Sequence, residues 1–230
     1  MFGKRSGSNS DVTPSGPYYR PYKNEAANHL YNLLFCDNPT LFRNDAGPKS
    51  PLSVVLSNSA DRETLEKIGN DLDAESRVRV LAFNRLRAMK VSVPSKRLLG
   101  AIIEVPQKDG FDVLAAFPDG RLRYINQSEK LSIFEDTPPK LVEKANELLR
   151  ASQIIVNRIG PWDQPRLPPP KGEHMRMSFL VSDGLYFGEG RFAALMQDRM
   201  AAPVINASTE LLLMVVDAAL EKDRSFGKRR

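Results

Sequence analysis

Two histidines, one cysteine and a dense run of arginines are the side chains of this 230-residue chain best suited to act on a ligand. His29 and His174 each stand alone, with no second ligand at a metal-binding spacing. Cys36 could serve as a nucleophile if a histidine met it in space, but no local signature accompanies it. Nor does the chain contain a G-x-S-x-G elbow, so serine hydrolysis has no anchor. A single cysteine excludes an internal disulfide and a multi-cysteine metal site, and it fits a reducing, cytoplasmic setting. No catalytic, cofactor-binding or metal-ligating residue is assigned on these grounds, no cofactor is expected, and the reading leans away from an enzyme.

Three weaker features remain. Gly184, Gly188 and Gly190 with Glu189 could carry backbone N–H groups to an anion at the entry of a helix. Their spacing, GLYFGEGRF, matches neither the dinucleotide fingerprint nor the phosphate loop, and turn chemistry accounts for it. The charges of the first half are also divided. Residues 61–75 hold six acids and two bases, whereas residues 77–97 hold seven bases and no acid. The bland reading is a solvated helix face pairing with the acidic helix before it. The functional one makes Arg77, Arg85 and Arg87, with Arg121 and Arg123 further on, a face for an anion, a nucleic acid or an acidic partner. Third, Trp162 lies between Arg158 and Arg166, in and beside the segment PWDQPRLPPPKG, where five prolines in twelve residues favour extended backbone. Trp162, Arg158 and Arg166 are candidate partner-binding residues, because aromatic and Arg side chains dominate interaction hot spots. The competing reading makes Trp162 a peg that fixes the loop to the core.

The net charge of +5 resides in the ends of the chain. Lys4, Arg5 and Arg20 against Asp11 give +2, and Lys222, Arg224, Lys228, Arg229 and Arg230 against Glu221 and Asp223 give +3. Between them the body is near neutral, which speaks for solubility more than for a nucleic-acid groove. The start is basic but then polar and Pro/Gly-rich, unlike a secretory signal, and no apolar run approaches the roughly 20 residues of a membrane helix. No membrane association is expected.

The elements that must position these residues are centred on residues 96–126, KRLLGAIIEVPQKDGFDVLAAFPDGRLRYIN. Asp109-Gly110 and Asp119-Gly120 are expected to close two hairpins by reaching positive φ cheaply. Residues 98–105 are apolar almost throughout, as in a strand covered on both faces. Residues 121–126 alternate, so that strand is expected near an edge with Arg121 and Arg123 on a wet face. Residues 131–134 can add a fourth strand. Before the meander, helices are expected over 24–35 with Asn24 as cap, 59–69 with Ser59 as cap, and 73–89 with Asp73 as cap. Residues 51–56 read as a strand or a packed connection. After it come a helix started by Thr137 and Pro138 and stopped by Gly160-Pro161, a hairpin over 175–187 broken at Gly188 and Gly190, and helices over 192–200 and 204–221, with the tail beyond Lys222 expected to fray. His29 is expected among packed helix residues and His174 exposed at a strand start.

The outcome is a single α+β domain over 23–222, an antiparallel sheet of five to six strands with flanking helices, between a disordered basic arm (1–22) and a basic tail (223–230). In element order it is similar to the profilin-like and roadblock-like sheets used as small scaffolds, an analogy that transfers no functional residue. The expected function is a non-enzymatic cytoplasmic interaction or scaffold module that self-associates or binds a protein through an exposed strand or the Pro/Trp loop. Anion or nucleic-acid binding is the alternative, and an enzyme of unrecognised type the third.

Overall fold

A computed structural model describes residues 16–227, with side chains described through Glu221. The first fifteen and last three residues, which carry most of the expected disordered arm and the end of the basic tail, lie outside the described residues.

Helix α1 (Glu25–Leu34) starts at Asn24, whose Oδ1 accepts the Ala26 N–H at 2.8 Å. A second cap comes from far along the chain, because the Glu129 carboxylate accepts the N–H groups of Lys23 and Asn24. Residues 51–56 are neither strand nor plain connection: they form α2 (Pro51–Leu56), with Ser50 as cap and proline at the first position. Helix α3 (Arg62–Asn70) is capped by Asp61 instead of Ser59, which is bonded to Ser57. Asp73 likewise caps nothing, since α4 (Ser76–Ala88) begins after Glu75.

Six strands follow the expected meander and hairpin: β1 (Leu98–Gln107), β2 (Gly110–Ala116), β3 (Leu122–Ile125), β4 (Leu131–Phe134), β5 (His174–Val181) and β6 (Gly184–Arg191). They form one antiparallel sheet in the order β4-β3-β2-β1-β5-β6. Gly120 does adopt positive φ, at 84°. Gly110 does not, and its reason for being glycine is a close approach: a Cβ there would lie 2.3 Å from the Gln127 carbonyl oxygen. Strand β6 runs through Gly188 and Gly190 to Arg191 instead of breaking, with Gly190 leaving room for Leu195.

Helix α5 (Pro139–Val156) connects β4 to β5; Pro138 holds its cap position and Thr137 Oγ1 is buried without a partner. After β6, α6 (Phe192–Leu195) ends early because Asp198 Oδ1 accepts the N–H groups of Met200 and Ala201 and so starts a new helix. That helix, α7 (Ala201–Gly227), continues five residues past the point at which fraying was expected.

Side-chain alternation along the strands builds two cores, one on each face. On one face Leu99, Ile102, Val113, Ala115 and Ile125 meet Tyr31, Leu34, Leu81 and Phe83 of the N-terminal helices. On the other, Ala101, Ile103, Leu114, Leu122 and Phe179 meet Leu148, Val204, Leu211 and Val215 of α5 and α7. Residues 16–22, read from sequence as part of the arm, join the first core: Tyr22 is buried and its hydroxyl donates to the Phe111 carbonyl at 3.0 Å. Helix α7 is apolar enough over Ala201–Glu221 to match a membrane span by length and composition, with mean hydropathy 1.4. Its inward side is packed on α5 and the sheet.

Candidate functional site

The arginines of the basic block are dispersed. Arg77 pairs with Glu75 and lies over the Phe42 ring, and Arg85 donates to the carbonyls of Val55 and Ser57. Arg87 donates to Asn84 Oδ1 at 2.7 Å, and burial holds its guanidinium below the usual range. Arg121 bridges Asp119 and Glu135. Arg123 is the clearest departure from expectation. It is 2% exposed, bonded to the Phe134 carbonyl and Glu135, because β3 is an interior strand covered on both faces and not a wet edge.

The proline-rich corner is divided as well. Trp162 is half-buried: its main-chain N–H donates to the Leu185 carbonyl at 2.7 Å, its Nε1–H donates to the Pro165 carbonyl, and its ring stands edge-on to Phe187. Arg158 is exposed, on the turn after α5. Arg166 leaves that surface. It is 4% exposed, forms an ion pair with Asp37 at 2.7 Å, donates to the Pro17 carbonyl and Asn32 Oδ1, and stacks 4.0 Å from the Phe35 ring centre.

Beside Arg166 lies a buried polar network that the sequence shows only as a lone acid in an apolar strand. Glu104 of β1 is fully buried and accepts from the Tyr31 hydroxyl at 2.8 Å and the Ser178 hydroxyl at 3.2 Å. Arg176, directly across from it on β5, lies 3.9 Å away. Arg176 also pairs with Glu189 at 2.6 Å and donates to the carbonyls of Leu167 and Pro168. Burial pushes the Glu104 carboxyl above its usual 4.5, opposed by Arg176 and the Tyr31 hydroxyl. Asp37 is raised for the same reason, with Arg166 opposing. The network locks a loop to the sheet.

Cys36 is buried at a φ of 52°, and burial pushes its thiol up, the opposite of an activated nucleophile. His29 is half-buried on α1, and His174 opens β5 near Glu189 at 3.6 Å. Neither histidine bonds to Cys36. Among the described residues no three His, Cys, Asp or Glu side chains converge as a metal-ligand group. A small apolar cleft of about 50 Å³ lies between the sheet and α7, lined by Ile103, Leu114, Tyr124, Phe192 and Leu212.

The two edges of the sheet differ. At β6 the Trp162 bridge occupies the first outward carbonyl, and Arg176 of the neighbouring β5 holds the carbonyls of Leu167 and Pro168. At β4 the only neighbour among the described residues is β3. Asn126 donates to the Lys130 carbonyl at 3.1 Å, which makes Tyr124–Ser132 the next pair to exchange hydrogen bonds in the ladder. The main-chain groups of Leu131 and Ile133 consequently point away from the sheet. Their side chains are 37% and 46% exposed. Lys130, just before the strand, and Asp136, two residues beyond its end, are exposed and form no ion pair among the described residues, while the neighbouring acids Asp119 and Glu135 are taken by Arg121 and Arg123. The sequence signal for this site is the string KLSIFED, a short apolar alternation between opposite charges.

Compared with known proteins, the chain matches no family model, no curated protein and no solved structure. The class the geometry defines is a mixed α+β domain built on one six-stranded antiparallel sheet.

Proposed function

We propose that this protein is a non-enzymatic interaction module whose working surface is the edge strand β4, where another polypeptide adds an extended strand. The observation that carries this reading is the coincidence, on one strand, of outward main-chain groups and outward apolar side chains at Leu131 and Ile133. Strand addition draws affinity from main-chain hydrogen bonds and specificity from alternate side chains, and β4 offers both. Proteins ordinarily blunt such edges with prolines or bulges, and β4 carries neither, its one device being its length of four residues. The proline-rich corner supports the reading less well, because Arg166 is internal and Trp162 is committed to Leu185 and Phe187. The basic block supports anion binding less well for the same reason, its guanidinium groups being engaged within the chain. The single buried cysteine suits a cytoplasmic location.

The test is Ile133→Pro. Proline removes the outward N–H, yet an edge strand tolerates it, so the fold should survive. The protein and this variant, each recovered from cells under native conditions, are compared by native mass for bound polypeptide, second copies included. Loss of that material with an unchanged melting curve is expected. A variant that keeps what the parent holds, or a parent that holds nothing at any accessible concentration, would overturn the reading.

A further inference from the structure

We infer that the polypeptide that closes this edge is β4 of a second copy, paired antiparallel about Ile133; the inference rests on the interaction reading above. Lys130 and Asp136 lie three residues to either side of Ile133, and both are exposed and free of ion pairs among the described residues. When Ile133 faces Ile133 of the other copy, each Lys130 faces the other copy's Asp136, and the two-fold axis makes that pairing twice. An isologous contact requires this self-complementarity.

Competing alignments are poorer. A parallel pairing sets Lys130 against Lys130 and Asp136 against Asp136, and like charges directly opposite are destabilising. A slip of one residue brings outward groups against inward ones. A slip of two sets Leu131 against Ile133, leaves Lys130 facing Phe134, and aligns Glu129 with Glu135. In the chosen register Ile133 exchanges hydrogen bonds with its own copy, and Leu131 faces Glu135. That acid does not oppose the leucine, because its carboxylate is drawn back to Arg121 and Arg123. Leu131 meets its aliphatic stem. The two six-stranded sheets then form one continuous sheet across the axis. The strand is only four residues long, so the buried area falls below that of a standard interface and the dimer is reversible, with a Kd on the order of micromolar or weaker.

The experiment is sedimentation velocity on the full chain over rising concentration for the parent, Lys130→Asp, Asp136→Lys and the double exchange. Each single substitution should raise the dimer Kd by about tenfold, and the double exchange should restore it. High salt should shrink these differences. In parallel, Ile133→Cys should give a disulfide-linked dimer, since a residue facing itself across such a pair lies about 5.5 Å away, within disulfide range. Leu131→Cys should not, and buried Cys36 does not compete. A dimer indifferent to the charge exchanges, or one cross-linked through Leu131→Cys and not Ile133→Cys, overturns this register. A strict monomer whose Ile133→Pro variant loses a different bound protein overturns self-pairing and leaves the edge reading standing. A monomer in which Ile133→Pro changes nothing removes both.

Discussion

The sheet ends in two ways. At β6 one main-chain group on the free side is taken, the Leu185 carbonyl by the Trp162 N–H, while Arg176 holds the carbonyls of Leu167 and Pro168 over the sheet face. At β4 the free side carries two exposed apolar residues whose main-chain groups bond to nothing among the described residues. The edge at β6 thus receives one main-chain bond from another part of the fold, and the edge at β4 receives none among the described residues.

This contrast can be broken most severely at Arg176. Arg176→Ala removes the grip on the proline-rich segment and leaves Glu104 buried without its nearest cation, which should cost about 3–5 kcal/mol in chemical denaturation. A loss below 1 kcal/mol would mean that the segment holds by other means. A milder way to open β6 is Trp162→Ala. Loss of the ring against Phe187 should cost about 1–2 kcal/mol and speed amide exchange at Phe187. Placed in the Ile133→Pro background, it should restore association through the newly freed edge; continued monomeric behaviour would show that β6 stays covered. The smallest effect concerns pH. Because burial raises the Glu104 carboxyl, the folded state keeps that proton to higher pH than the unfolded chain does. Its ionisation therefore costs stability above the folded value, and the cost is relieved as pH falls toward 4.5. Glu104→Gln should accordingly flatten the decline of stability with rising pH above 4.5, and an unchanged slope would show that Glu104 does not titrate in this range.

What the sequence made legible was whatever short-range chemistry determines. The Asp119-Gly120 turn, the meander and α5 follow from turn residues and apolar period, and the structure bears out the α+β sheet. The misses have longer reach. Six apolar residues cannot distinguish a strand from a helix turn at 51–56, although Ser50-Pro51 was a readable helix start. Arg123 looked wet because its partner Glu135 lies twelve residues on, across a strand whose covering role is tertiary. Arg166 meets Asp37 across 129 positions, a pairing that no local pattern announces. Glu104 is different: an acid in a strand buried on both faces demands partners, a local signal that could have pointed to the buried network but was not taken up in the sequence reading. The candidate edge was only partly legible, since a fourth strand over 131–134 was readable but its place at the end of the sheet was not.

Strand β1 has one neighbour made locally and one made late. Its pairing with β2 closes through a two-residue turn between Gln107 and Gly110, whereas its pairing with β5 joins Glu104 to Arg176 only after α5 and the proline-rich segment have been traversed. Contacts so far apart in sequence form slowly, because the entropy of closing the intervening chain must be met first. A chain emerging from synthesis as far as the end of α5 has all the residues of β1 to β4, but the strand that pairs with the other side of β1 has not yet been made. For that interval the permanent centre of the molecule is its temporary edge, and the arrival of β5 and β6 is the step that removes an aggregation hazard.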